Sequence, residues 1–329
     1  MLSRTAENLY WMARHIERAE NTARILDVAH RSALVPLDID GTEAYLWYAP
    51  LNITGCAAGY ESKYGLARAQ EVTHYMALDP ENPSSIYSCL RMARENARSV
   101  RGAITSEMWE VINATWLELK RLVDQLEYSK FPDFFDWVKD RSHMFRGVTL
   151  GTIQKDIALS FIKLGTFLER ADNTARILDV KYHILLPSVN DVGGAADYYQ
   201  WGALLKSVSA FEAYRKIYRS VISPLRVAEL LILRDDMPRS LHGCMNEVEA
   251  ALIDINGSSG REARRKAGEQ HAALHFGRIE DVFSIGLHEY LTDFLAHVDA
   301  LSREIRNAYL SRRNYFQIPE IPSTSLQLQ

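Results

Sequence analysis

Cysteine, proline and glycine are all scarce in this chain. Its 329 residues include 3 Cys, 10 Pro and 17 Gly. Cys56, Cys89 and Cys244 form no Cys-x-x-Cys pair and are odd in number. That argues against a disulfide scaffold or a zinc knuckle and fits a reducing compartment. An excess of positive charge is also missing. The formal net charge is −4, so no nucleic acid held by a basic surface is expected. No apolar run approaches the length of a membrane span, and no membrane partner is expected. The opening MLSRTAENLYWMARHIERAE carries charge throughout. It predicts no signal peptide, and a cytoplasmic location follows as the expectation. Phosphate-cradling glycine loops, GxSxG elbows and kinase-type motif sets are absent, so no nucleotide site of the chain's own is expected.

What the chain does have is helical periodicity. It is 47% hydrophobic and 24% charged, the balance of a globular protein with a sizeable core. Ser3 suits an N-cap and Glu7 suits the positive end of the helix dipole. Leu9, Met12, Ala13, Ile16, Ala19, Ala23 and Leu26 then fall on one stripe. Helices are predicted over about 3–34, 42–64, 67–78, 83–102 and 104–128. A short helix follows the Phe131-Pro132 break, and others cover about 152–186, 195–220, 224–234 and 238–255. The stretch 261–312 reads as helix with a break near Ser284-Ile285-Gly286. Val35-Pro36, Asp40-Gly41, Pro187, Gly193-Gly194 and the Asn256–Gly260 loop punctuate the pattern. No segment reads as a strand, so the fold class is all-α.

The chain also repeats itself. Residues 17–28 read ERAENTARILDV and residues 169–180 read ERADNTARILDV, identical at eleven of twelve positions. Weaker echoes follow in the same order. Trp47-Tyr48 matches Tyr198-Tyr199, and Tyr60-Glu61 matches Phe211-Glu212. The run from Asn82-Pro83 to Cys89 matches that from Met237-Pro238 to Cys244. These echoes predict two tandem pseudo-symmetric multi-helix repeats packed as one helical body. The first would span 1–150 and the second 151–312, with a loose tail at 313–329.

Within the repeated segment Glu17, Glu20, Arg24 and Asp27 are spaced three, four and three, so they share one helix face. Asn21 lies one turn from Glu17, and Arg18 points nearly opposite the apolar stripe, toward solvent. The second copy repeats this with Glu169, Arg170, Asp172, Asn173, Arg176 and Asp179. One reading is structural: Glu20–Arg24 and Arg24–Asp27 pairs form a satisfied ion-pair network that holds two helices in register. The other is functional. The two helices face each other and line a polar pocket, in which Arg24 and Arg176 hold an anionic or zwitterionic ligand or the carboxylates hold a divalent cation.

Other residues carry less. His271 and His275 are spaced i, i+4 in a predicted helix, a spacing able to chelate a metal. Neither an HExxH motif nor a first-half equivalent accompanies them. They are read as surface or packing residues, and no metal site is assigned. Cys89 and Cys244 read as small buried thiols, and Ser85 and Ser240 as capping residues. Trp11, Trp47, Tyr48, Tyr198, Tyr199 and Trp201 read as core.

The ERAENTARILDV and ERADNTARILDV segments, with the LSRTAENLYWMARHIERAEN opening, resemble the bacterial alpha-E family of helical proteins named for a Glu-Arg motif. The resemblance runs to about residue 312 and maps the motif to Glu17-Arg18 and Glu169-Arg170. It sits uneasily with a solvated Arg18. Proteins of that family are typically encoded beside, or fused to, circularly permuted ATP-grasp proteins. The resemblance therefore implies amide-bond formation on a small peptide or amino acid, with ATP and Mg held by the partner. Three functions stay open: a helical partner of an ATP-grasp amide ligase, an enzyme using a Glu general base and an Arg carboxylate clamp, and a structural dimerisation module compatible with a homo-oligomer.

Overall fold

A computed structural model describes residues 1–33, 42–184, 195–255, 257 and 260–310. Among the described residues there is no strand. The first seven helices are α1 (Ser3–Ala33), α2 (Thr42–Ile53), α3 (Ala57–Tyr64), α4 (Ala69–Ala77), α5 (Ile86–Ser99), α6 (Ser106–Val123) and α7 (Phe131–Thr152). Eight follow: α8 (Ile157–Ile184), α9 (Ala195–Ser207), α10 (Phe211–Tyr218), α11 (Pro224–Ile232), α12 (Leu241–Ile255), α13 (Arg261–His275), α14 (Ile279–Ile285) and α15 (Leu287–Tyr309). None is long and apolar enough to cross a membrane. The expected breaks at Val35-Pro36, Asp40-Gly41, Pro187 and Gly193-Gly194, most of the Asn256–Gly260 loop and the 313–329 tail lie outside the described residues.

Two helices run through the middle. α1 packs on α5, α7 and α8, while α8 packs on α12, α15 and α1. α6 lies between α5 and α7, as α13 lies between α12 and α15. Leu9, Met12 and Leu26 of α1 and Leu164, Leu168 and Leu178 of α8 are fully buried. One large apolar cluster combines residues of α1, α5 and α6 with residues from α8 to α15, so the core is shared by both parts of the chain. A second cluster lies within the first part, around Trp47, Tyr60 and Phe135.

Several elements depart from the sequence expectation. The predicted 42–64 helix is divided between α2 and α3, where Gly55 has φ +64°. The predicted 195–220 helix is divided between α9 and α10, where Ser209 has φ +54°. A left-handed residue ends a helix, and a serine gives no warning of one. The helix after Phe131-Pro132 is not short but spans 22 residues, with Pro132 in its first turn. There the missing N–H has no helical partner to lose, so the proline begins the helix instead of breaking it. The 261–312 stretch breaks at Gly286, as expected, and also between His275 and Ile279.

Two of the aromatic matches are displaced by one helical turn. Tyr60 donates its hydroxyl to the Leu66 carbonyl (3.1 Å) and accepts from the Arg68 N–H (3.3 Å). Tyr214, not Phe211, makes the same pair of bonds, to Val221 (3.1 Å) and from Ser223 (3.0 Å). Likewise Trp201 is buried as Trp47 is, whereas Tyr198 and Tyr199 are exposed and not core residues. A slip of three residues keeps nearly the same helix face, so an aromatic near the equivalent position mimics the match.

The central helices touch most closely at Gly165. A Cβ added there would stand 2.2 Å from the Tyr10 carbonyl oxygen. Backbone cannot yield as a side-chain tip can, so alanine must push α1 and α8 apart. Helix propensity alone would make Gly165→Ala stabilising by about 1 kcal/mol. We expect instead a loss of roughly 1–3 kcal/mol in urea unfolding; a gain in stability would show that the helices do not meet this closely.

Candidate functional site

Consecutive residues on a helix point about 100° apart. Glu17 and Arg18 can therefore approach a neighbouring helix from two sides, and Glu169 and Arg170 can do the same. The geometry is reciprocal. Arg170 on α8 donates Nε and Nη2 to the two oxygens of Glu17, both at 2.9 Å. Arg18 on α1 donates Nε and Nη2 to the two oxygens of Glu169, at 2.5 and 3.0 Å. Each Glu-Arg dipeptide answers the other across the α1–α8 contact with a two-point bond.

Further cations close the lattice. Arg14 donates to Glu169 at 2.8 Å. Arg239, from the turn before α12, reaches Glu17 at 3.0 Å, Glu20 at 2.7 Å and the side-chain Oδ1 of Asn21 at 2.9 Å. Arg146 on α7 donates to Glu17 at 3.1 Å and also to Glu20. Glu20 accepts as well from Ser142 (2.6 Å) and Arg24 (2.8 Å). Nearby, Arg176 grips Asp172 through two bonds of 2.9 and 3.1 Å.

Not every expected residue joins. Arg24 turns to Glu20 and to His143 (3.2 Å), and the expected Arg24–Asp27 pair is absent. Asp27 instead pairs with Arg31 (2.7 Å) and Lys139 (2.9 Å). Asp179 pairs with His288 at 2.6 Å, and Asn173 is half-buried on α8. Arg18 is not solvated: its side chain is 13% exposed and bound to Glu169. The expectation failed because it assumed one buried face, while α5, α7 and α8 all pack on α1. Arg14, Ser142, His143, Arg146 and Arg239 were not anticipated. Arg14 stands one turn before Arg18 and could have been read from spacing; Arg146 and Arg239 come from other elements and carry no periodic signal.

The expected polar pocket between the motif helices is filled by its own counter-ions. A cavity of about 20 Å³ beside the lattice is lined mainly by apolar groups such as Ile16, Ala93, Ile112 and Phe145. It has room for about one water. Electrostatics follow from this closure. Burial pushes the Glu169 carboxyl up, but the Arg18 and Arg14 guanidiniums override it and hold the group down at about 2. Burial is likewise overcome at Glu17 by Arg170 and Arg239, and at Glu20 by Arg239 and Arg146, so both stay below the ordinary carboxylate range. The thiols behave oppositely: burial pushes Cys89 and Cys244 each up to about 12, as inert packing groups. Glu17, Glu20, Glu169 and Asp172 meet seven guanidiniums, those of Arg14, Arg18, Arg24, Arg146, Arg170, Arg176 and Arg239. Three cations are in excess. The lattice opens toward solvent at Arg146 and His143, whose side chains are 27% and 53% exposed.

An all-helical body joined through paired Glu-Arg dipeptides defines a class of helical domain marked by that motif. The chain belongs to the Alpha-E family, described as a predicted alpha-helical domain with a conserved ER motif, whose model matches residues 1–310. It is similar to uncharacterized proteins of Mycobacterium bovis and of two Mycobacterium tuberculosis strains, at 25%, 25% and 24% identity. Each match covers 92% of this chain and 36% of the relative, so the chain spans about a third of the length of those proteins. No solved structure matches it.

Two outcomes follow for stability. Arg170→Ala leaves the Glu17 carboxylate buried without its two-point partner, and a loss of 3–5 kcal/mol, on the order seen for broken buried pairs, is expected in urea unfolding. A loss below about 1 kcal/mol, the range of surface pairs, would show that the pair is not buried in solution. The second concerns pH. Glu169 has a folded-state value of about 2, below its ordinary 4.5. Its contribution is therefore complete above pH 4.5 and is lost as pH falls from there toward 2. About 3 kcal/mol should disappear across that window. Acid titration of stability should be measurably flatter there in Glu169→Gln than in the wild type, and equal slopes would contradict the assignment.

Proposed function

We propose that this chain is the helical partner of an ATP-grasp amide-ligase system. In this reading the Glu-Arg lattice locks the body together. The edge formed by Arg24, His143 and Arg146 receives an anionic group, such as the carboxylate of a small peptide or amino acid. ATP and Mg belong to the partner. The observation that carries the reading is the charge state of the lattice. Glu17, Glu20 and Glu169 are consumed in ion pairs and held ionised, and the lattice cations are in excess. A Glu acting as general base is favoured by the opposite, a carboxyl whose value is raised toward neutrality. That leaves these three glutamates poorly suited as a base, and a binding role has guanidiniums at hand. Support also comes from the relatives, in which the matched region is about a third of a longer protein. Such a region works in the company of other parts.

The test is reconstitution with a circularly permuted ATP-grasp protein. Gel filtration should show one complex, and ADP release with a peptide or amino-acid acceptor should require both proteins. Arg24→Ala should raise the acceptor KM roughly tenfold, the equivalent of about 1.4 kcal/mol, with kcat retained. Turnover by the chain alone, or failure to form a complex, would overturn the proposal.

A further inference from the structure

Outside the lattice, three imidazoles converge where α12 meets α13. His242 sits in the first turn of α12, and His271 and His275 lie one turn apart near the end of α13. Their ring centroids form a nearly equal-sided triangle with edges of 5.5, 5.5 and 5.7 Å. One nitrogen from each ring lies within 4.8 Å of one from each of the others.

The hydrogen bonds around the triangle fix which nitrogens are free. His242 Nδ1 stands 2.8 Å from the Leu233 carbonyl oxygen. A carbonyl only accepts, so Nδ1 carries the proton and Nε2 presents a lone pair. That Nε2 is buried and has no hydrogen-bond partner, in a residue only 4% exposed. A buried polar atom left unpaired is unfavourable and calls for a reason. His271 Nδ1 stands 2.8 Å from a Glu249 carboxylate oxygen. This is the arrangement in which a carboxylate orients a metal-binding imidazole and raises its basicity. It leaves His271 Nε2 for a ligand. His275 is exposed and completes the triangle at the solvent side.

The other part of the chain supplies a control. Cys89 and Cys244 stand 155 residues apart. At the same separation, His242, His271 and His275 correspond to Tyr87, Trp116 and Lys120. Tyr87 and Trp116 pack with ring centroids 5.2 Å apart. An α5–α6 contact thus forms with ordinary aromatics, and the packing of α12 on α13 does not by itself call for three imidazoles.

We propose that His242, His271 and His275 form a binding site for a divalent transition metal, zinc by the character of its donors. Neutral imidazole nitrogens bind zinc at about 2.0–2.1 Å, and three protein ligands with a fourth, open position are the pattern of reactive rather than structural zinc sites. The three nitrogens lie within 4.8 Å of one another, so binding an ion at that distance requires the rings to turn toward a common point. The fourth position faces solvent and takes a water or an anionic ligand. The site is distant in kind from the Glu-Arg lattice and does not depend on the function proposed for it.

The test uses the full chain without any affinity tag. After chelator treatment and dialysis against Zn2+, the wild type should retain a single equivalent of metal. Co2+ should give the intense visible bands of a four-coordinate centre. His275→Ala alters an exposed side chain, so its circular dichroism and metal-free melting should match the wild type. Its zinc affinity should fall at least tenfold, and zinc should no longer raise its melting temperature. Glu249→Gln removes the orienting carboxylate and should weaken binding by roughly 10–100-fold. No retained metal in the wild type, or equal affinity in a folded His275→Ala, would overturn the proposal.

Discussion

Everything in this protein hangs on two crossed ion pairs. Glu17 with Arg170, and Glu169 with Arg18, tie α1 to α8 where water is excluded. Removing ions from water is unfavourable, and their mutual attraction repays it only when every oxygen and N–H is matched. Here both oxygens of Glu17, Glu20 and Glu169 are bound, because Arg14, Arg146 and Arg239 reach in from α1, α7 and the turn before α12. The lattice therefore constrains more than two helices. Sliding α8 along α1 by one turn would leave carboxylates and guanidiniums stranded in the core. Apolar packing alone would tolerate such a slip far better. Specification of register, rather than net stabilisation, is the role that buried charge performs most dependably.

The same lattice explains why chemistry is better sought elsewhere. A carboxylate gripped by two or three guanidiniums is a poor proton acceptor near neutrality. The more accessible groups lie at the margins, at Arg146 and His143, and on the separate histidine triangle of α12 and α13. The triangle also marks a divergence between the two parts of the chain. Tyr87 and Trp116 hold one place, and His242 and His271 the other.

The all-helical class and most helix positions were legible because a 3.6-residue period is a local property. The motif was legible because Glu17-Arg18 and Glu169-Arg170 sit inside nearly identical segments. What stayed hidden is what comes from a distance. Arg239 lies more than two hundred residues from Asn21 in the chain, yet donates to it at 2.9 Å. His242 precedes His271 by 29 residues, so only the i, i+4 pair shows a pattern. A single apolar stripe suggests a single buried side, and on that pattern Arg18 falls in solvent. In a helix surrounded by neighbours no such side exists. Ser209 ended a helix through a backbone angle that its identity does not announce.

A contact in which each side offers the same two groups, one acid and one base, has a property beyond strength. It is self-complementary, the condition met by the two-fold interfaces of homodimers. With both Glu-Arg segments on one chain, their association does not depend on concentration. It also leaves the surroundings of the two segments free to differ. The histidines on α13 are the kind of novelty that a strict homodimer would have to carry twice.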